Sequence, residues 1–323
     1  MLERFLPARR SGPLTAHYRN AVRAASLLLC LGLASACNTA SDAKTVATQL
    51  AATATALSSY YTALHTEIVN TDQLNNLEQG VVGLPYDAQT RASIMDTAAE
   101  IQKRVDLANS ISTLAASLTQ LTTSTGAADA STAAGKLASA VASIKPLAPI
   151  LTAPVQAGMT AAIQGIATAI QQHKIREAAR HIAEFLDNFN KLFAAEEPAC
   201  QTINDQYVDL SGTLSGWFVA NGQTDPAAYS SAMAKMVLAP YGLTAKVDAA
   251  TQARIAATLK LFIEHKSIDL KAAHTAAGKA MEDALADVEV RTADVAANKP
   301  LPAGLTPPSL DTVNQWAATL AAK

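Results

Sequence analysis

Charge is scarce in this 323-residue chain: Asp, Glu, Lys and Arg make up 16% of it, against roughly 25% in ordinary soluble domains. Aromatics are scarce too, at 5%. Half of the residues are apolar, which excludes wholesale disorder. Much of that half is Ala, which favours helix but buries little area per residue. Thin, closely approaching helices are therefore expected rather than a thick core. Three cysteines are too few for a disulfide framework. No run alternates apolar and polar residues over strand length, and no fixed period of 20–50 residues repeats. Catalytic signatures are missing as well. There is no Gly-rich phosphate loop and no His-Glu-x-x-His, and none of the Glu-x-x-His pairs of di-iron bundles. Ser41-Asp-Ala-Lys44 has no Lys-Thr-Gly or Ser-Asp-Asn partner, and Gly212-Thr-Leu-Ser-Gly216 has the wrong spacing for a nucleophile elbow. The expectation is a non-enzymatic chain with no catalytic residue and no cofactor.

What is present begins with a leader. Arg4, Arg9, Arg10, Arg19 and Arg23 precede an uncharged stretch, Ala24–Ala36, centred on Leu27-Leu28-Leu29-Cys30-Leu31. A bilayer needs about 20 apolar residues; this shorter core suits a signal peptide. It closes on Leu33-Ala34-Ser35-Ala36-Cys37, which resembles a bacterial lipobox, with Ala34 where Leu is usual. The resemblance implies lipidation at Cys37, a mature chain beginning there and, with Asn38 rather than Asp next, sorting to the outer membrane, facing the periplasm. The alternative is plain secretion after Ala34-Ser35-Ala36. Without residues 1–36, which hold five arginines and one glutamate, 20 basic and 26 acidic residues remain, a net charge of −6. Nucleic acid, which requires a basic face, is not expected as a partner. The expected partners are the membrane, through the lipid anchor, and a protein of the envelope.

The remainder reads as helices. A short tether, 38–41, leads into a helix over 42–79 with a 4-3 seam of Leu50, Ala54, Leu57, Tyr61, Leu64 and Ile68. Gly80 to Pro85 ends it. A second helix starts from Asp87 as N-cap and reaches Thr122, so the first two form an antiparallel hairpin. Shorter helices over 129–144 and 225–239, a long one over 152–197 that Pro198 breaks or kinks, another over 200–220, and a last long one over 244–298 follow. The predicted fold is all-α: an elongated antiparallel helical bundle with long coiled-coil-like helices. Its expected domains are a signal peptide (1–36), a bundle (37–299), and a Pro-rich linker with a short C-terminal helix (300–323).

Two constellations stand out. His173, Glu177, His181 and Glu184 follow one another at spacings of 4, 4 and 3, hence on one helix face, and such residues can ligate a divalent metal. His181-Ile-Ala-Glu184 resembles the His-x-x-Glu part of the imelysin-like family, helical envelope proteins. The resemblance implies iron binding or peptidase activity, although Ala179 stands where that family has Gly. The alternative is a solvated face on which Glu177 and Glu184 pair with Arg180 or Lys174. Glu264, His265, Asp269 and His274 read as solvated. The second constellation is a charge desert: from Leu107 to Gln172 only Asp129, Lys136 and Lys145 are charged. Within it Ala157, Ala161, Gly165 and Ala169 form a small-residue ridge that permits close helix contact. It resembles the uncharged segment of helical pore-forming toxins, which implies membrane activity; the competing reading is a central bundle helix.

The preferred expectation is a lipid-anchored helical binding or scaffold module of the cell envelope. A metal-binding envelope protein and a membrane-active helical protein are the alternatives.

Overall fold

The computed structural model describes residues 14–121, 127–145, 147, 153–172, 174–222, 237–243, 248–301 and 308–321, with side chains in the first helix described from Ala40. Among these residues the fold is all-α, without a strand: α1 Leu14–Val81, α2 Ala88–Leu121, α3 Ala127–Ser143, α4 Ala153–Gln171, α5 Ile175–Ala220, α6 Ala249–Ala296 and α7 Asp311–Ala321, with a 3-10 turn at Ala239–Tyr241. At 1.5 Å per residue α1 is about 100 Å long, and α5 and α6 about 70 Å each.

Three helix pairs, α5–α6, α1–α2 and α1–α6, pack antiparallel. Between α5 and α6, Asn190 pairs with Glu289, Gln201 with Thr275 and Asp209 with Lys271, so partners climb one helix as they descend the other. Ser58–Asn109 and Asp72–Arg91 set the same sense for α1 and α2, and Gln49–Asp287 and Tyr60–His274 for α1 and α6. Consecutive helices from α1 to α6 all pack on one another, and α1 also touches α5, α6 and α7. The seam of α1 is the core: Leu50, Ala54, Leu57, Tyr61, Leu64 and Ile68 are all buried. In α5, Ala178, Ile182, Phe185, Phe189 and Leu192, which recur at heptad spacing, are buried too, while Ile175 at the head of that row is half-buried.

Local chemistry explains several boundaries. Asp87 caps α2, its carboxylate accepting from the Thr90 backbone N–H at 2.8 Å, and Asp248 caps α6 through Thr251 N–H at 2.9 Å. Gly83 and Gly222, both at positive φ, follow the ends of α1 and α5.

Three expectations change. The tether at 38–41 is helical, because nothing there breaks the helix: Thr45 and Thr48 turn their hydroxyls back onto the Ser41 and Lys44 carbonyls. The helix expected over 152–197 is two helices. The chain turns at Gln172–Lys174, where Lys174 N–H bonds to the Ala169 carbonyl. Pro198, by contrast, interrupts nothing and sits inside α5. The carbonyl it leaves free, four residues back, belongs to Ala194; both residues are exposed, so water can satisfy that carbonyl. The segment joining α5 to the 3-10 turn and the start expected for α6 at 244–247 lie outside the described residues. The C-terminal helix α7 buries Val313, Trp316 and Leu320 against α1 and α6.

Candidate functional site

The first turns of α5 carry three of the four residues singled out as metal ligands; His173 lies outside the described residues. Glu177, His181 and Glu184 do share a face, but they bond within it. Arg180 donates from Nη2 to His181 Nε2 at 3.1 Å, and His181 Nδ1 lies 2.8 Å from Glu184 Oε2. Arginine can only donate, so Nε2 accepts and Nδ1 carries the proton. Glu177 is 3.1 Å from Lys174 and 3.9 Å from Arg180, and Glu184 is 3.6 Å from Arg180. The Lys174 hydrogen bond holds the Glu177 carboxyl below its ordinary pKa. Among the described residues, no group of three or more His, Cys, Asp or Glu side chains is placed to hold a metal ion.

His181 has a second neighbour. A Cβ added to Gly165 of α4 would lie 2.5 Å from its ring, and one added to Gly158 would lie 2.8 Å from Asn188 Oδ1. The close approach of α4 to α5 therefore uses Gly158 and Gly165, seven residues apart. Of the expected ridge, Ala169 is buried, but Ala157 and Ala161 are exposed. A step of four residues turns about 40° past a full turn at 3.6 residues per turn, so a ridge of that period leaves the contact line, whereas a step of seven stays on it. The core-facing side of α4 is Met159, Ala162, Ile163, Ile166, Ala169 and Ile170.

Halfway along the bundle lies a buried polar waist that sequence reading missed. Arg104 and Glu196, each 1% exposed, form a two-pronged ion pair, Nε to Oε2 at 2.7 Å and Nη2 to Oε1. The guanidinium also donates to the Glu100 and Lys145 carbonyls, both at 2.8 Å. Glu196 accepts from Leu147 N–H at 3.2 Å. One pair thus ties α2, α5 and the chain after α3 together. Burial disfavours the guanidinium's charge, but its bonds and attraction to Glu196 raise its pKa on balance.

Beside it, His274 of α6 is fully buried, not solvated as its sequence surroundings suggested. Its Nε2 lies 3.0 Å from the Tyr60 hydroxyl, its ring stacks on Tyr60, and Trp316 of α7 closes over both at centroid distances of 4.8 and 5.1 Å. Nδ1 has no hydrogen-bond partner. The tautomer that leaves least unsatisfied has Nε2 donating to the Tyr60 hydroxyl, so that only a lone pair is stranded at Nδ1. Burial pushes the His274 pKa from 6.5 down to about 4 and the Cys200 thiol well up. Cys200 is thus a buried, protonated thiol rather than a nucleophile. Tyr60 and Tyr61 are likewise pushed up by burial.

Cavities lie away from the waist. One, of about 40 Å³, is mostly apolar and lined by Val46, Leu50, Leu118, Ala178, Ile182 and Val295 among others; it presents no charged group, and its hydroxyl, that of Thr292, donates to the Val288 carbonyl. A groove of about 650 Å³ runs between the far ends of α5 and α6, floored by Gly212 and Gly216. No helix of the described residues is long and apolar enough to cross a membrane. No protein-family model matches the chain, and no curated protein and no solved structure matches it significantly.

Proposed function

We propose that the chain is a non-enzymatic, lipid-anchored helical scaffold of the bacterial envelope, attached through Cys37 to the outer membrane and facing the periplasm, where it binds another envelope component. The observation that supports this most is the continuity of α1. One helix runs from Leu14 through Cys37 to Val81, so a lipid on Cys37 joins the bundle without a flexible spacer. A rod mounted this way holds its far end at a fixed height above the bilayer. The chemistry of the interior agrees with a structural role: Glu196 is buried against Arg104, His274 is bonded to Tyr60 beneath Trp316, and Cys200 is buried as well. What is left for function is surface.

Metabolic labelling with a fatty acid, comparing wild type with Cys37→Ser, tests the anchor. The expected result is label in wild type and none in the variant, with wild type in the outer-membrane fraction. Unlabelled, freely soluble wild type would overturn the reading.

A further inference from the structure

A second buried arginine is far less completely paired than Arg104. Arg291 of α6 is 6% exposed. Its Nε stands 2.7 Å from Asp287 Oδ2 but off the line that a hydrogen bond requires, and Nη2 has no hydrogen-bond partner. Asp287 is itself shared, because the same oxygen accepts from Gln49 of α1. Arg104 directs its guanidinium to Glu196 and two carbonyls; Arg291 has one shared carboxylate. A buried guanidinium N–H without an acceptor is both rare in folded proteins and costly.

Arg291 also borders a cavity of about 480 Å³ between α1 and α6. Ser41, Lys44, Thr45 and Thr48 line it from α1, at the i, i+3, i+4 and i+7 positions of one helix face. Opposite them Ala284 lies one heptad before Arg291, and its small side chain leaves room. Among the described residues that line the cavity, the charged ones are Lys44 and Arg291. Asp287 does not line it and is held by Arg291 and Gln49. The Thr45 and Thr48 hydroxyls donate to the Ser41 and Lys44 carbonyls, so the guanidinium, the Lys44 ammonium and the Ser41 hydroxyl remain as donors for a ligand.

Two cations without a lining carboxylate repel metal ions and attract an anion. A guanidinium fork fits a carboxylate or a phosphate equally, with an ammonium adding a point charge. A tetrahedral phosphate has oxygens enough for all three donors, which a planar carboxylate does not. We infer that this cavity is a phosphate-binding site, Arg291 donating through the guanidinium edge that no protein acceptor holds, with Lys44 and Ser41 meeting the remaining oxygens. A free phosphorylated molecule and a lipid headgroup present the same group. Ser41 lies four residues past Cys37, about 6 Å along α1, so an anchored chain brings the cavity within reach of headgroups. The site itself does not depend on acylation of Cys37; either proposal can fail alone.

Titration calorimetry of the full chain tests it with two probes, inorganic phosphate and dihexanoyl phosphatidylglycerol below its micelle concentration, at ionic strength matched with sodium chloride. The expected result is saturable one-to-one binding. Lys44→Gln, at an exposed position, should weaken it about two- to fivefold. Arg291→Lys keeps a charge beside Asp287 but loses the fork, and should weaken it about tenfold or more. Circular dichroism of both variants should match wild type. Tighter binding of the lipid than of inorganic phosphate assigns the site to a headgroup, and equal or weaker binding assigns it to a free phosphate. No saturable binding of either probe, or binding that a folded Lys44→Gln or Arg291→Lys chain leaves unchanged, would overturn the site. Because Lys44 is exposed, its variant decides the matter even if Arg291→Lys does not fold.

Discussion

The two halves of α6 carry the same kind of pattern and meet opposite fates. Beyond His274, Ala277, Met281, Leu285 and Val288 are buried, because α1, α5 and α7 enclose that half. Before His274, Leu261, Phe262 and Ile268 are exposed. There only the opposite face is covered, Ile263 packing with Val219 and Tyr241. Apolar residues at helical spacing thus make a core face only where the neighbouring helices reach far enough to cover them.

The contrast is broken most severely at the waist. Arg104→Ala leaves the Glu196 carboxylate buried without its counter-charge and should cost about 3–5 kcal/mol in urea unfolding. Replacing both partners, as in Arg104→Met with Glu196→Leu, should cost less than the single change.

His274 comes next, and its effect depends on pH. The folded protein holds the ring neutral, with its pKa lowered from 6.5 to about 4. Between those values the unfolded chain binds a proton that the folded one excludes, so stability is full above pH 6.5 and falls as pH drops towards 4. At ~1.4 kcal/mol per unit the loss is on the order of 3 kcal/mol. His274→Phe should flatten that slope in unfolding curves taken from pH 7 to 4. An unchanged slope would place its origin elsewhere.

Gly165→Leu drives a side chain into the His181 ring, where even a Cβ lies at 2.5 Å. It should cost roughly 1–3 kcal/mol and leave liposome binding unchanged, read by thermal melting and flotation together. Undiminished stability with stronger lipid binding would favour a membrane-inserting role for α4.

On the distal hairpin the effects should be small. Lys271 and Asp209 pair at 2.8 Å, but the carboxylate is 65% exposed, so Lys271→Ala should change stability by less than about 1 kcal/mol.

Local features were readable in the sequence. Asp87 as a cap, the seam of α1 and the Gly80–Pro85 stop depend on residues within a few positions of one another, and the structure has them where the sequence placed them. The waist was not readable. His274 is made a core residue by Tyr60 and Trp316, and Arg104 is made one by Glu196, at separations of 214 and 92 residues for the two hydrogen-bonded pairs; no local pattern marks either. The Gln172–Lys174 turn contains neither Gly nor Pro, and Pro198 passes unnoticed because its side of α5 faces solvent. Breakers report local cost, while packing decides whether that cost matters. Of the candidate metal face, the sequence indicated its shared side and its Arg180 and Lys174 pairing, but not the ring of His181 resting on Gly165.

The central claim, that α6 is a core helix beyond His274 and a solvent-facing one before it, is tested most directly by a matched pair of truncations. Leu285→Ala and Ile268→Ala should be compared by chemical denaturation at low protein concentration. Leu285→Ala should cost about 2–5 kcal/mol, as a buried large-to-small change does, and Ile268→Ala less than about 0.5 kcal/mol, as an exposed one does. Equal losses at the two positions would contradict the account.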